Sequence, residues 1–265
     1  MITATLQRSL QDNEVHVWFL RTNLGINERL RSACESILDD AEQIRYSRFR
    51  FAKDATLFLS AHAFLRILLS SYTGINPRRL HFTVGTRGRP EVAPGLTSMP
   101  LRFNLSHTPG LVACAIALKR AVGVDVERLD RAAVIQDVAR RWFSSYSDVI
   151  TLAALEPSAR RQRSVDLWVL REALLKGLGI GLSTPTTQVN FRWREDGQVM
   201  CSASGVGVAS GTWRVALLDP TDRHRGGLAF EAAPLELVEI LGFVCPADLA
   251  IEQVRAHTLA AQSAP

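Results

Sequence analysis

Nowhere in this sequence does an uninterrupted apolar run approach the roughly 20 residues that cross a bilayer. The longest is L-V-A-C-A-I-A-L, Leu111 to Leu118. The polar start M-I-T-A-T-L-Q-R-S-L-Q-D-N has no signal-peptide core, so the sequence predicts a soluble, cytoplasmic protein with no membrane partner. Cysteine is scarce: Cys34, Cys114, Cys201 and Cys245 are scattered, with no C-x-x-C pair and no histidine at a zinc-ligand spacing. A zinc ribbon and a disulfide framework are thereby excluded, and the thiols are expected to be reduced and structural. Aromatic residues make up only 7% and do not interleave with the basic groups as a single-strand nucleic-acid groove would require. There is no G-x-S-x-G elbow, since Ser106 stands between Leu105 and His107, and this removes the common serine-hydrolase reading.

What is present is enough apolar residue, 47% of 265, to fill the core of one large domain or two modest ones. The formal charge of +5 favours acidic partners or phosphorylated ligands. Basic residues recur at Arg140-Arg141, in A-R-R-Q-R (Ala159 to Arg163) and in R-H-R (Arg223 to Arg225). Each group reads equally well as solvated surface.

Period-2 and period-3.6 patterns give the organisation. E-V-H-V-W-F-L (Glu14 to Leu20) is a strand, followed by a polar helical stretch through Asn27 to Arg45. A long helix covers Asp54 to Tyr72 and ends at Gly74 and Pro77; then come L-H-F-T-V (Leu80 to Val84), the turn T-R-G-R-P (Thr86 to Pro90), and strands at Arg102 to Ser106 and Leu111 to Leu118. A second helix, Asp166 to Gly179, lies about a hundred residues after the first. V-N-F-R-W-R-E-D-G-Q-V (Val189 to Val199) follows it as L-H-F-T-V-G-T-R-G-R-P follows the other, so that Phe82 and Phe191, and likewise Gly88 and Gly197, are 109 residues apart. T-W-R-V-A-L-L (Thr212 to Leu218) is placed where L-V-A-C-A-I-A-L stood. The weak repeat predicts an α+β fold of two similar halves, each a small antiparallel sheet packed on a long helix, with a cleft between them as the natural ligand site. The halves are set at residues 1–120 and 121–250, and 251–265 is a tail whose last residues are expected to fray.

The chemistry gathers in the second half. In A-V-G-V-D-V-E-R-L-D (Ala121 to Asp130), strand alternation puts Asp125 and Glu127 on one face, two like charges that call for a cation. In W-V-L-R-E-A-L-L-K-G-L-G, Trp168, Glu172 and Lys176 are four apart and share a helix face, while Leu167, Leu170, Leu174 and Leu178 form a buried stripe. Glu172 can complete a trio of carboxylates suited to magnesium, which takes its remaining ligands from substrate phosphates. The plainer alternatives are a surface Glu172–Lys176 ion pair and a solvated strand face whose acids pair with Arg128 or Arg131. On the solvated reading, loss of Asp125 costs little stability. F-N-L-S-H-T-P-G (Phe103 to Gly110) adds Asn104, Ser106 and His107 at a strand end, and T-R-G-R-P adds guanidinium groups beside a tight turn. Both suit phosphate recognition.

Taken in order and at these separations, F-N-L-S-H, G-V-D-V-E and W-V-L-R-E-A-L-L-K resemble the three signature motifs of the Sfp-type 4′-phosphopantetheinyl transferases. The resemblance runs from about Ile44 to Val199 and takes in Y-S-R-F-R-F-A-K-D-A and G-R-P. It implies halves related by a pseudo-twofold, and transfer of phosphopantetheine from coenzyme A to a serine of an acyl or peptidyl carrier protein, with release of 3′,5′-ADP. It also implies that Asp125, Glu127 and Glu172 hold Mg2+, that Glu172 is the general base, and that Lys176 holds the phosphates. Arg45, Arg89 with Pro90, and Ser106 with His107 fall where that family contacts coenzyme A. Two positions depart from the pattern: Arg171 where lysine is usual, and Leu57 where many members carry arginine. The expected partners are coenzyme A and apo carrier proteins, with no nucleic acid, and the chain is expected to be a monomer. The rival readings are a metal-dependent nuclease, disfavoured because Glu172 and Lys176 are four apart on a helix rather than two apart on a strand, and a basic nucleic-acid-binding module, which leaves the acidic strand unexplained.

Overall fold

The computed structural model describes residues 8–22, 26–85, 90–142, 152–180, 189–203, 213–251 and 254–262. The chain divides into two units, Met1–Lys119 with Glu239–Ala260, and Arg120–Val238 with Ala261–Pro265.

In the first unit, β1 (Glu14–Arg21) is central to a five-stranded sheet. It pairs antiparallel with β5 (Leu111–Leu118), which pairs antiparallel with β4 (Leu101–Thr108). On its other side β1 runs parallel to β11 (Val238–Cys245), and β12 (His257–Gln262) forms that edge. The sheet is therefore mixed rather than purely antiparallel, and segments assigned by sequence to the second half and to the tail complete the first unit's sheet. Both faces of β11 explain the return: Val238 and Ile240 are buried on one face, and on the other Phe243 is buried and stacks on Trp18 at 4.3 Å, a partner that lies in β1.

The polar helical stretch is two helices. Asn27 caps α1 (Glu28–Ile37), its side chain accepting from the Leu30 amide at 2.8 Å. Asp39 then starts α2 (Asp40–Ser47) with a reciprocal capping box to Glu42, and this D-x-x-E signal breaks the helix that the charge pattern alone had run together. The long helix α3 (Ala52–Thr73) ends at Gly74, whose φ of 73° suits glycine. By length and composition α3 could cross a membrane, but 78% of its most apolar window is buried within the protein, as in a core helix. Within it Arg66 is fully buried: Nε donates to Glu42 at 2.6 Å, Nη1 to the carbonyls of Pro77 and Leu80 at 2.8 Å each, and Nη2 to Asp39. The same two carboxylates that cap α2 thus neutralise the core arginine. A short hairpin, β2 (Phe82–Val84) with β3 (Pro90–Val92), follows.

The second unit repeats this order. Strand β6 (Val122–Arg128) is followed by α4 (Ala132–Trp142), the long helix α5 (Pro157–Leu178), and the hairpin of β7 (Val189–Trp193) and β8 (Val199–Ala203), with Gly197 at φ 83° in the turn. Strands β9 (Trp213–Thr221) and β10 (His224–Glu231) close the sheet in the order β6-β10-β9, antiparallel throughout. The order β1-β5-β4 in the first unit is the same pattern, and both long helices have 22 residues and end at a left-handed glycine. The T-W-R-V-A-L-L strand corresponds to β4 rather than to β5; β10 takes the place of β5. Helix α5 also begins nine residues earlier than its apolar stripe suggested, because Pro157 at its first turn starts it within polar sequence.

Candidate active site

The second unit builds its site from two close approaches. Gly123, Asp125 and Glu127 alternate onto the face of β6 that meets α5, and their partners across the β6–β10 ladder are Ala229, Gly227 and Arg225. A Cβ on Gly123 would stand 2.0 Å from the Ala173 carbonyl oxygen and 2.4 Å from the Gly177 nitrogen; one on Gly227 would stand 2.3 Å from the Val169 oxygen. The seam Val169, Ala173, Gly177 on α5 can therefore lie against the sheet backbone only because two strand positions lack side chains. The leucine stripe expected from the sequence, Leu167, Leu170, Leu174 and Leu178, is buried and packs with Val189, Phe191 and Trp213.

With the helix held this close, Lys176 Nζ donates to Asp125 Oδ1 at 2.6 Å. The same nitrogen is 3.4 Å from the Val124 carbonyl. Asp125 is only 6% exposed, which overturns the solvated-strand reading for it: its carboxylate is held against a helix-borne lysine. Glu172, one turn before Lys176, is pushed up to about 7, chiefly by burial and next by the Asp125 charge, with Lys176 opposing and Glu127 adding to the rise. The three acids thus sense one another as like charges. Glu127 is held by Arg131, whose Nη1 lies 2.9 and 3.1 Å from its two oxygens, the pairing that the sequence had allowed. Arg128 takes Asp130 instead.

Among the described residues no three His, Cys, Asp or Glu side chains converge into a ready-made metal cage. The donor set nevertheless suits a hard divalent cation. It offers carboxylate oxygens from strand and helix, held by protein cations and repelling one another at Glu172, so that an ion bound there relieves charge that the chain otherwise carries.

The remaining predicted positions lie in the first unit. Ser106 and Asn104 share a buried face near the end of β4, and His107 is exposed. Pro90 opens β3, which is tied to β4 by Arg102 and Glu91 at 2.9 Å. Arg45, in the last turn of α2, is exposed with its guanidinium 5.1 Å from the Phe58 ring centroid. Arg89 lies outside the described residues. Leu57 packs against the first unit's core, and Arg171 is buried, donating to the Val189 carbonyl at 3.1 Å: it ties α5 to β7.

Several residues around the site were not singled out by the sequence. The double glycine in H-R-G-G-L (His224 to Leu228) was a signal for close backbone approach. R-H-R is solvated only in part: Arg223 is exposed, but His224 is buried and Arg225 donates to Asp166 at 2.7 Å. Arg160 donates to the carbonyls of Ala153 and Leu155 at 3.2 and 2.8 Å, and Arg163 lies 3.6 Å over the Trp193 ring, so only part of the A-R-R-Q-R group faces solvent.

The fold is α+β, and its acidic strand face and the Glu172 and Lys176 side chains of α5 suit phosphoryl-group transfer. The description "4′-phosphopantetheinyl transferase superfamily" matches residues 121–224, and "4′-phosphopantetheinyl transferase, N-terminal" matches 27–119. The boundary between them coincides with that between the two units. A 4′-phosphopantetheinyl transferase of Bacillus subtilis is 32% identical over 177 residues, 66% of this chain and 73% of that protein. The transferase HetI of Nostoc sp. is 29% identical over 175 residues, again 66% and 73%. A holo-(acyl-carrier-protein) synthase from Bacillus anthracis, solved with CoA (3′,5′-ADP), aligns with a TM-score of 0.36 and 13% identity over 43% of this chain and 96% of that one. The chain belongs to the 4′-phosphopantetheinyl transferase superfamily, in its Sfp-type branch, and is an enzyme that transfers the phosphopantetheine group.

Proposed function

We propose that the enzyme moves 4′-phosphopantetheine from coenzyme A to a serine hydroxyl of an apo acyl or peptidyl carrier protein, releasing 3′,5′-ADP. The observation that carries this reading is the Asp125–Lys176 contact of 2.6 Å between β6 and α5, with Glu172 one helical turn before Lys176. As general base the Glu172 carboxylate would accept the serine proton as the oxygen attacks, then release it to solvent. The serine Oγ–P bond forms and the pyrophosphate P–O bond breaks, the electron pair leaving with 3′,5′-ADP. Lys176 is placed to turn from Asp125 to the substrate phosphates. Asp125, Glu127 and Glu172 would hold Mg2+, which when bound neutralises pyrophosphate charge. Arg45, Arg89, Pro90, Ser106 and His107 would contact coenzyme A. On the same reading the enzyme acts as a cytoplasmic monomer that binds no nucleic acid.

Intact-mass measurement tests it. The chain, coenzyme A, Mg2+ and an apo carrier protein should give one added phosphopantetheine per carrier, lost when the carrier serine is replaced by alanine. An unmodified carrier under these conditions, with several carriers tried, would refute the reading.

A further inference from the structure

Arg225 stands on the site's own face yet takes no part in the chemistry just described. It is the cross-strand partner of Glu127, two residues from Gly227, where α5 touches the sheet backbone. Its guanidinium is largely buried and reaches two elements: Nε donates to Asp166 Oδ1 of α5 at 2.7 Å, and Nη1 to Asp219 of β9. The β9–β10 register shifts between His224 and Gly226, bringing Asp219 and Pro220 against Arg225; such irregularities re-aim side chains, often beside active sites. Asp166 is itself buried, with Arg163 Nε at 3.8 Å from its other oxygen.

We infer that Arg225 is a positioning residue for phosphopantetheinyl transfer, a strut that fixes the Asp166 turn, near the middle of α5, to the β6–β10–β9 sheet and so sets Glu172 and Lys176 against Asp125 and Glu127. The inference rests on the transfer reading above. The mechanical reasoning is short. Helix α5 meets the sheet at Gly123 and Gly227 toward its C-terminal half, and Arg225 is the charged contact beyond them. Asp166 and Glu172 are six residues apart, about 9 Å along a helix at 1.5 Å per residue, so a tilt at one is felt at the other. A planar guanidinium with two carboxylates constrains direction as well as distance, which a lysine at one point does not.

The test separates positioning from stability. Arg225→Gln leaves the Asp166 carboxylate buried beside only the more distant Arg163, and should lower both the melting temperature and, in the folded protein, kcat by about 10- to 100-fold, the scale of an ångström-sized misplacement. Adding Asp166→Asn removes that lone charge and should restore most of the stability while kcat stays low. Arg225→Lys should likewise recover stability more than kcat. A crystal structure of the double variant should show α5 displaced at the Asp166 turn and Lys176 beyond hydrogen-bonding distance of Asp125. Wild-type kcat in folded Arg225→Gln, kcat recovering in step with stability in the double variant, or an undisplaced α5 would overturn the strut. The wild-type enzyme run alongside distinguishes the two claims: if it modifies no carrier, the transfer reading fails, while the crystallographic arm still decides the position of α5.

Discussion

A single methyl group at Gly123 should disable the enzyme without touching any group that handles substrate. A Cβ there would lie 2.0 Å from the Ala173 oxygen, 2.4 Å from the Gly177 nitrogen and 2.9 Å from the Gly177 Cα. All three are backbone atoms of one helix, so no rotamer change relieves the clash; α5 must retreat by about 1 Å or β6 must buckle. Overpacking of a filled core costs about 1–3 kcal/mol, and a backbone contact belongs at the upper end. The retreat carries Lys176 away from Asp125, to which it is now bound at 2.6 Å, and about a 1 Å displacement of catalytic groups costs on the order of 100-fold in rate. Gly123→Ala is therefore expected to melt about 8–15 °C lower, at roughly 4–5 °C per kcal/mol for a unit of this size. It should also lose about two orders of magnitude in kcat when assayed well below its melting point. Gly226→Ala is the control: it lies on the opposite face of β10, and its nearest neighbour is a side-chain atom, Leu218 Cβ at 3.1 Å, so it should be far milder in both respects. A Gly123→Ala variant with wild-type stability and kcat would refute the close-approach reasoning.

Glu172→Gln should retain coenzyme A binding, measured by calorimetry, better than it retains turnover, because the amide keeps the shape but cannot take a proton; equal losses would argue for a binding role alone. Asp125→Ala should abolish transfer at ordinary Mg2+ and, contrary to what a solvated strand face implies, also lower the melting temperature, since it leaves Lys176 facing a buried gap. In the first unit, burial tends to raise the Glu42 carboxyl, but His62 and Arg66 outweigh it and hold it below its ordinary 4.5. Its contribution to stability is then present above 4.5 and lost as pH falls through the lower folded value, so Glu42→Gln should flatten the acid limb of a plot of melting temperature against pH. Raising salt should raise the KM for an acidic carrier while sparing kcat, as the Debye length shrinks from about 10 Å at 0.1 M to about 3 Å at 1 M. Arg161→Glu should mimic it, being exposed and without the helix-start contacts of Arg160, and a KM indifferent to both would point to apolar recognition.

The sequence by itself determined what local periodicity and short motifs can encode. Asp125 and Glu127 had to share a strand face, Glu172 and Lys176 a helix face, and the leucines of α5 a buried stripe, because backbone geometry fixes side-chain direction within one element. The recurrence of a long helix followed by a Phe- and Gly-bearing segment was visible for the same reason, though the sequence matches the strand after it to β5 instead of β4, and the motif set was specific enough to point to the family. Tertiary structure alone decided which elements meet. Nothing local to Val238–Cys245 says that it pairs with β1 in the first unit rather than with its neighbours in sequence, since a strand's partner is chosen by the complementary face it finds, here Trp18 against Phe243. Nor could charge patterns tell solvated arginines from structural ones: Arg66, Arg171 and Arg225 read like Arg161 in the sequence. Arg66 and Arg171 are buried, and Arg225 largely so, because carboxylates or carbonyls from other elements, Asp39 and Glu42, Val189, Asp166 and Asp219, come to meet them. Lys176 is the same case, since four-residue spacing offered it Glu172, but the absence of side chains at Gly123 and Gly227 lets the whole helix sink onto the sheet, and only at that depth does Asp125 come within 2.6 Å of it.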